Sequence, residues 1–175
     1  MSRAALDADA RLAALAQRLA RRLRARGLTL ATAESCTGGW LAKVLTDEPG
    51  ASRWLLAGWV VYSNEAKSRE LGVRAATLAR HGAVSEATVR ELAAQARRRA
   101  GTDLAVSISG IAGLRGSRAR VYTSARTRPT AGIPPNRRRS APVASANRRR
   151  TARRGPRGLL QILEHVLVQI GRAHV

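Results

Sequence analysis

The chain changes character at Gly113, and that break bounds what it can fold into. Residues 1–113 carry 17 Lys and Arg against 10 Asp and Glu, in alternating helix-like and strand-like runs. Residues 114–175 carry 15 Arg and one acid, Glu164. Residues 114–157 alone hold 14 arginines, five of the six prolines and only four Leu, Ile or Val. Such a stretch cannot bury enough apolar surface to offset the entropy of ordering it, so disorder is expected there. The run "GLLQILEHVLVQ" at 158–169 regains helical spacing through Leu159, Ile162, Leu163 and Val166. A single core built mainly from the first 113 residues is therefore the expectation.

Those residues read as layers. In 8–26, Leu12, Leu15, Ala16, Leu19 and Leu23 share a helical face opposite arginines, and Gly27 is a plausible stop. Residues 28–33 read as a buried strand and 38–46 as a helix ended by "DEPG" at 47–50. Residues 55–62, "LLAGWVVY", read as a second strand. A helix follows, with Ser63 or Asn64 as its N-cap and Gly72 as its stop. Residues 75–80 suit a short helix, and Ser85 caps a longer one with Val89, Leu92, Ala93 and Ala96 on one face. Residues 103–109 form a third strand, and the alternation predicts an α/β layered fold.

The formal net charge of +21 normally points to nucleic acid or another acidic partner. Two-thirds of it lies beyond residue 113, where Tyr122 is the one aromatic and no nucleic-acid module is recognisable. Binding through that arm would be non-specific, through phosphates. The single cysteine, Cys36, permits no internal disulfide and suits a reducing compartment. No secretory signal and no run of about 18 apolar residues is visible, so a soluble cytoplasmic protein is expected.

In an open α/β sheet, ligands sit beyond the carboxyl ends of the strands. Three such ends here are polar or glycine-rich: "ESCTGG" from Glu34, "YSNEAK" from Tyr62 and "SGIAG" from Ser109. At the first, Ser35 stands just before a helix, and N–H groups near Thr37, Gly38 and Gly39 could meet an anion or an oxyanion. The plainer reading makes Ser35 or Thr37 an ordinary N-cap and the glycines a tight turn. Neighbouring side chains of an extended segment point to opposite faces, so Ser35 and Cys36 should not both face a site, and Cys36 reads as a small buried residue. A nucleophilic serine needs a base. His81, His165 and His174 sit in no metal-ligand spacing and at no strand end, which leaves a Ser-His-Asp arrangement poorly supported. Lys67 is the alternative, as base if its pKa falls, or else as a solvated surface lysine.

The segments "TAESCTGGWLAKVLTDEPGAS", "GWVVYSNEAKSRELGV", "RHGAVSEATVRELA" and "AVSISGIAG" resemble the C-terminal domain family of the competence/damage-inducible protein CinA. The resemblance covers about residues 8–113. It implies a three-layer α/β/α fold, here with an incomplete sheet, and a homodimer. Stand-alone members are nicotinamide-nucleotide amidohydrolases, so it also implies deamidation of nicotinamide mononucleotide to the nicotinate form with no metal or other cofactor. By motif, Ser35 is the implied nucleophile and Lys67 its base. Tyr62, Ser109, Thr37, Gly38, Gly39, Asn64 and Gly110 are the implied binding or supporting residues, while Cys36 stays structural.

The chain departs from the family after Gly113. The proline–glycine loop, the "KPVGTV"-like strand and the "GDR"-like turn that would supply a substrate-binding arginine do not follow "GIAG". Arginine, proline, alanine and glycine without lysine or acids is the composition that a frame shift in a GC-rich gene gives. Residues 114–157 are read so, 158–169 as the family's last helix back in frame, and 170–175, "IGRAHV", as a translated adapter. The rival readings are an Arg-rich nucleic-acid-binding arm or an inactive fragment with exposed sheet edges.

Overall fold

A computed structural model of the chain describes residues 3–110 and 119–125. The elements, in order, are α1 (Arg3–Arg26), β1 (Leu30–Glu34), α2 (Trp40–Thr46), a 3₁₀ turn (Ala51–Arg53), β2 (Leu55–Val60), α3 (Asn64–Leu71), α4 (Ala75–His81), α5 (Glu86–Ala100), β3 (Leu104–Gly110) and β4 (Ala119–Ala125). Helix ends follow local chemistry. Ser63 and Ser85 cap α3 and α5 by accepting from Ala66 N–H and Thr88 N–H. Gly27 closes α1 in the left-handed region, with Leu28 N–H donating to the Leu23 carbonyl at 3.0 Å, as in a Schellman motif.

The strands form one sheet in the order β2-β1-β3-β4. The first three are parallel, with Ala31 opposite Ala57 and Ala105, and Glu34 opposite Val60 and Ile108. The connection through α2 leaves β1 on one side, and that through α3–α5 crosses back to its other side. Strand alternation then divides the core. Leu30, Leu104, Val106 and Ile108 pack with Leu12, Ala16, Leu19 and Leu23 of α1 and Leu41 and Leu45 of α2. Ala31, Ala33 and Ala105 pack with Leu71 of α3 and Leu92 and Ala96 of α5. The result is the expected α/β/α sandwich, with the carboxyl ends of β1, β2 and β3 at one edge.

One expectation needs correcting. Within the segment predicted to be disordered, Ala119–Ala125 forms β4, antiparallel to β3, with Ser107 opposite Tyr122 and Gly110 opposite Ala119. Val121, Tyr122 and Thr123 are strand-favouring residue types, and β3 offers them a hydrogen-bonding edge. Averaging composition over 114–157 hides so short a run. The rest of that segment, the helix expected at 158–169 and the tail at 170–175 lie outside the described residues. Among the described residues no helix is long and apolar enough to cross a membrane.

Candidate active site

The site grows from the end of β1. Ser35 extends that strand by one residue, its N–H donating to the Ile108 carbonyl at 3.0 Å. The backbone then reverses through Gly38 (φ 59°) and Gly39 (φ 96°), both left-handed. At Gly39 a side chain would also be crowded, because a Cβ would lie 3.1 Å from Val60 Cγ2. These two glycines turn the chain within four residues and start α2 back along the sheet.

Next to β1, β2 runs on into Val61, whose N–H donates to the Glu34 carbonyl at 2.8 Å. The carbonyls of Val61 and Tyr62 both face Lys67, in the first turn of α3. Lys67 Nζ donates to them at 3.0 and 2.8 Å and lies 3.2 Å from Ser35 Oγ. Lys67 is only 1% exposed and Ser35 5%. The alternative of a solvated surface lysine is thereby removed. Burial lowers the Lys67 pKa from its ordinary value of 10.5. A neutral amine has two N–H bonds and one lone pair. With both N–H bonds directed at carbonyls, the lone pair is left facing Ser35. The carbonyls also suit the ammonium form, so burial is what favours the free base.

Cys36 takes the opposite face, as strand alternation requires, and packs against the α1–α2 core. Burial pushes its thiol pKa up, so it is a poor thiolate source. The other residues expected at the site are spread unevenly. Tyr62 contributes its carbonyl, while its residue surface is largely exposed. Asn64 is the first residue of α3 and exposed, Ser63 being the cap. Ser109 is buried one strand away, and its hydroxyl donates to the Ala83 carbonyl at 2.8 Å. Gly110 ends β3 and is half-buried.

Neither Ser35 nor Thr37 is an N-cap. Gly39 holds that position with no side-chain cap, and the capping group comes from Glu34, which sequence reasoning passed over. The Glu34 carboxylate, 1% exposed, accepts from Leu41 N–H (2.9 Å), Ala42 N–H (2.8 Å) and the Thr37 hydroxyl (2.7 Å). The signal was a helix start without its own Ser, Thr, Asp or Asn, beside an acid at the strand end. The expected anion cradle is correspondingly altered. In the first turn of α2, Leu41 N–H and Ala42 N–H go to Glu34 and Trp40 N–H to the Thr37 carbonyl, while Gly38 N–H goes to the Ser35 carbonyl. The N–H groups of Cys36 and Thr37 lie against the Cys36 thiol and pull its pKa down against the larger effect of burial, which leaves Gly39 N–H without a hydrogen bond among the described residues. No cluster of three metal-ligating side chains occurs among the described residues.

A parallel-sheet α/β domain with a serine and a buried lysine in hydrogen-bond contact at its carboxyl edge defines the class. The model of the CinA C-terminal domain family matches residues 12–122, and the chain belongs to that family. The nicotinamide-nucleotide amidohydrolase PncC of Escherichia coli (strain K12) is 57% identical over 105 residues, which are 60% of this chain and 64% of that protein. The chain thus spans just under two-thirds of that curated relative's length. A CinA-like protein of Chloroherpeton thalassium is 57% identical over 91 residues, 52% of this chain and 22% of its own. Among solved structures, the competence/damage inducible protein CihA from Agrobacterium tumefaciens aligns with a TM-score of 0.63 and 38% identity, over 66% of this chain and 74% of that one. A CinA superfamily protein from Klebsiella pneumoniae 700603 aligns with a TM-score of 0.61 and 29% identity, over 93% and 95%.

Proposed function

We propose that the protein is an amidohydrolase that converts nicotinamide mononucleotide to nicotinate mononucleotide and ammonia through a Ser35–Lys67 acyl-enzyme. The supporting observation is the 3.2 Å contact between Lys67 Nζ and Ser35 Oγ in a setting that depresses the lysine pKa. The relative's name, nicotinamide-nucleotide amidohydrolase, supports the substrate.

Lys67, as free amine, accepts the Ser35 hydroxyl proton as Oγ attacks the carboxamide carbon. Gly39 N–H is the loop donor assigned to the oxyanion, since those of Gly38, Trp40, Leu41 and Ala42 are taken and those of Cys36 and Thr37 face the Cys36 thiol. Collapse of the intermediate expels ammonia, with the Lys67 proton returned to the leaving nitrogen. The same amine then takes a proton from water, which cleaves the ester and regenerates Ser35. Tyr62, exposed and bound to Lys67 through its carbonyl, is the aromatic residue assigned to the nicotinamide ring. The family resemblance adds a homodimer to this reading.

The test is ammonia release from nicotinamide mononucleotide by wild type, Ser35→Ala and Lys67→Ala. Both variants should lose it while keeping a cooperative melt. Turnover retained by folded Ser35→Ala would end the acyl-enzyme reading.

A further inference from the structure

Glu34 has no part in the proton transfers above, yet its carboxylate is as buried as Lys67 and makes more contacts than a helix cap needs. Its three donors come from two stretches of the loop. Thr37 lies in the middle, and Leu41 and Ala42 lie beyond both left-handed glycines. One side chain at the strand end therefore ties the whole 35–42 turn onto β1. Ser35 is the first residue inside that tie. A serine or asparagine cap at position 39 would be strained, because φ is 96° there and a Cβ would crowd Val60.

Strand alternation sends the Glu34 side chain toward α2 and that of Ser35 toward Lys67 on α3. The carboxylate thus acts from the far face of the strand, without contact with the amine. Its charge also meets the positive end of α2, which would otherwise be open to an anion. We propose that Glu34 is a positioning residue: by clamping Thr37, Leu41 and Ala42 it fixes the turn so that Ser35 Oγ stands at hydrogen-bond distance from Lys67 Nζ. This rests on the Ser35–Lys67 reading of the reaction.

The test uses the full chain and two substitutions at the clamp. Glu34→Gln keeps the volume but sets an NH₂ donor against donors. Thr37→Val removes one contact of the three. Misplacing a reacting group by about 1 Å can cost on the order of 10²-fold in rate. Glu34→Gln should therefore lower kcat for nicotinamide mononucleotide by about that factor with KM held within about threefold, and Thr37→Val should fall between it and wild type. A second readout needs no turnover. Cys36 is the only cysteine of the chain, lies inside the clamped turn and is half-buried. Its labelling by a thiol reagent at fixed pH should be about tenfold faster in Glu34→Gln, the ratio one lost hydrogen bond makes in a local opening equilibrium.

Leu92→Ala, a cavity in the α5 cluster on the opposite face of β1 from Cys36, is the control for general loosening and should leave Cys36 labelling unchanged. Wild-type kcat and labelling in Glu34→Gln, with Ser35→Ala inactive, would overturn this inference alone. Equal acceleration of labelling in Leu92→Ala would also overturn it, by making the effect one of global stability. Turnover in Ser35→Ala would remove the reaction on which it rests.

Discussion

Replacing Lys67 by methionine separates the two things that lysine does. Methionine keeps most of the stem volume and removes all three polar contacts of Nζ, to the Val61 and Tyr62 carbonyls and to Ser35 Oγ. Losing a general base costs about 10²–10⁴-fold in rate, roughly 3–5 kcal/mol of barrier. Stability receives opposing contributions. Two carbonyls lose their donor, at about 1 kcal/mol each and more if water cannot reach them. Against this, the variant no longer holds an amine where burial disfavours its charge.

The pH dependence distinguishes the two contributions. The folded-state pKa of Lys67 lies below its unfolded value near 10.5, so between the two the unfolded chain binds more protons. This term weakens the wild type fully below the folded pKa, and the penalty disappears as pH rises toward 10.5. Lys67→Met lacks it. The melting temperature of the variant relative to wild type should therefore be highest at neutral pH and decline through that window. The assay is paired thermal melts from pH 7 to 10.5, with turnover measured on the same preparations. A difference in Tm that stays constant with pH, or a variant that keeps its kcat, would refute the reasoning.

Three further outcomes are expected. Because the free amine is the active form, kcat/KM should rise with pH along one ionisation whose midpoint lies below 10.5 and then level off; a profile that falls across that range would point to a different base. Gly39→Ala should cost about 1–3 kcal/mol in a denaturant melt, since it combines a left-handed backbone with a Cβ 3.1 Å from Val60 Cγ2, and it should lower kcat by moving the turn. Rereading the DNA for residues 110–160 should reveal a shifted frame, and a clean read would make the Arg-rich segment a genuine part of the protein.

How far the sequence was legible depends on the range of the forces involved. Helix ends were readable because caps are local: Ser63, Ser85 and Gly72 act within one turn of their own positions. The layer arrangement was readable from alternation, which separates Leu30 and Val106 from Ala31 and Ala105. The Ser35–Lys67 contact was not readable from spacing. Thirty-two residues and a β–α–β crossover separate the pair; the β2–α3 turn holds Nζ on the Val61 and Tyr62 carbonyls, and only the register of β1 against β2 brings Ser35 beside it. The motif resemblance supplied what spacing could not. Glu34 was missed because its partners come into reach only after two left-handed glycines fold the loop back. β4 was missed because averaging over 114–157 hid its short strand-favouring run, and because the β3 edge that pairs with it lies outside that segment.

The central claim is that Lys67 is a buried amine poised beside Ser35, and the chain is well suited to testing it. It holds only two lysines, so an NMR titration with lysine ¹³C-labelled at Cε gives two signals, assigned through Lys43→Arg. Lys43 is exposed and paired with Asp47 at 2.6 Å, which raises its pKa above 10.5. Lys67 should titrate below 10.5, so the two signals should depart from that value in opposite directions. A Lys67 signal that titrates at or above 10.5 would contradict the account, because the amine beside Ser35 would then remain an ammonium at any pH where the protein works.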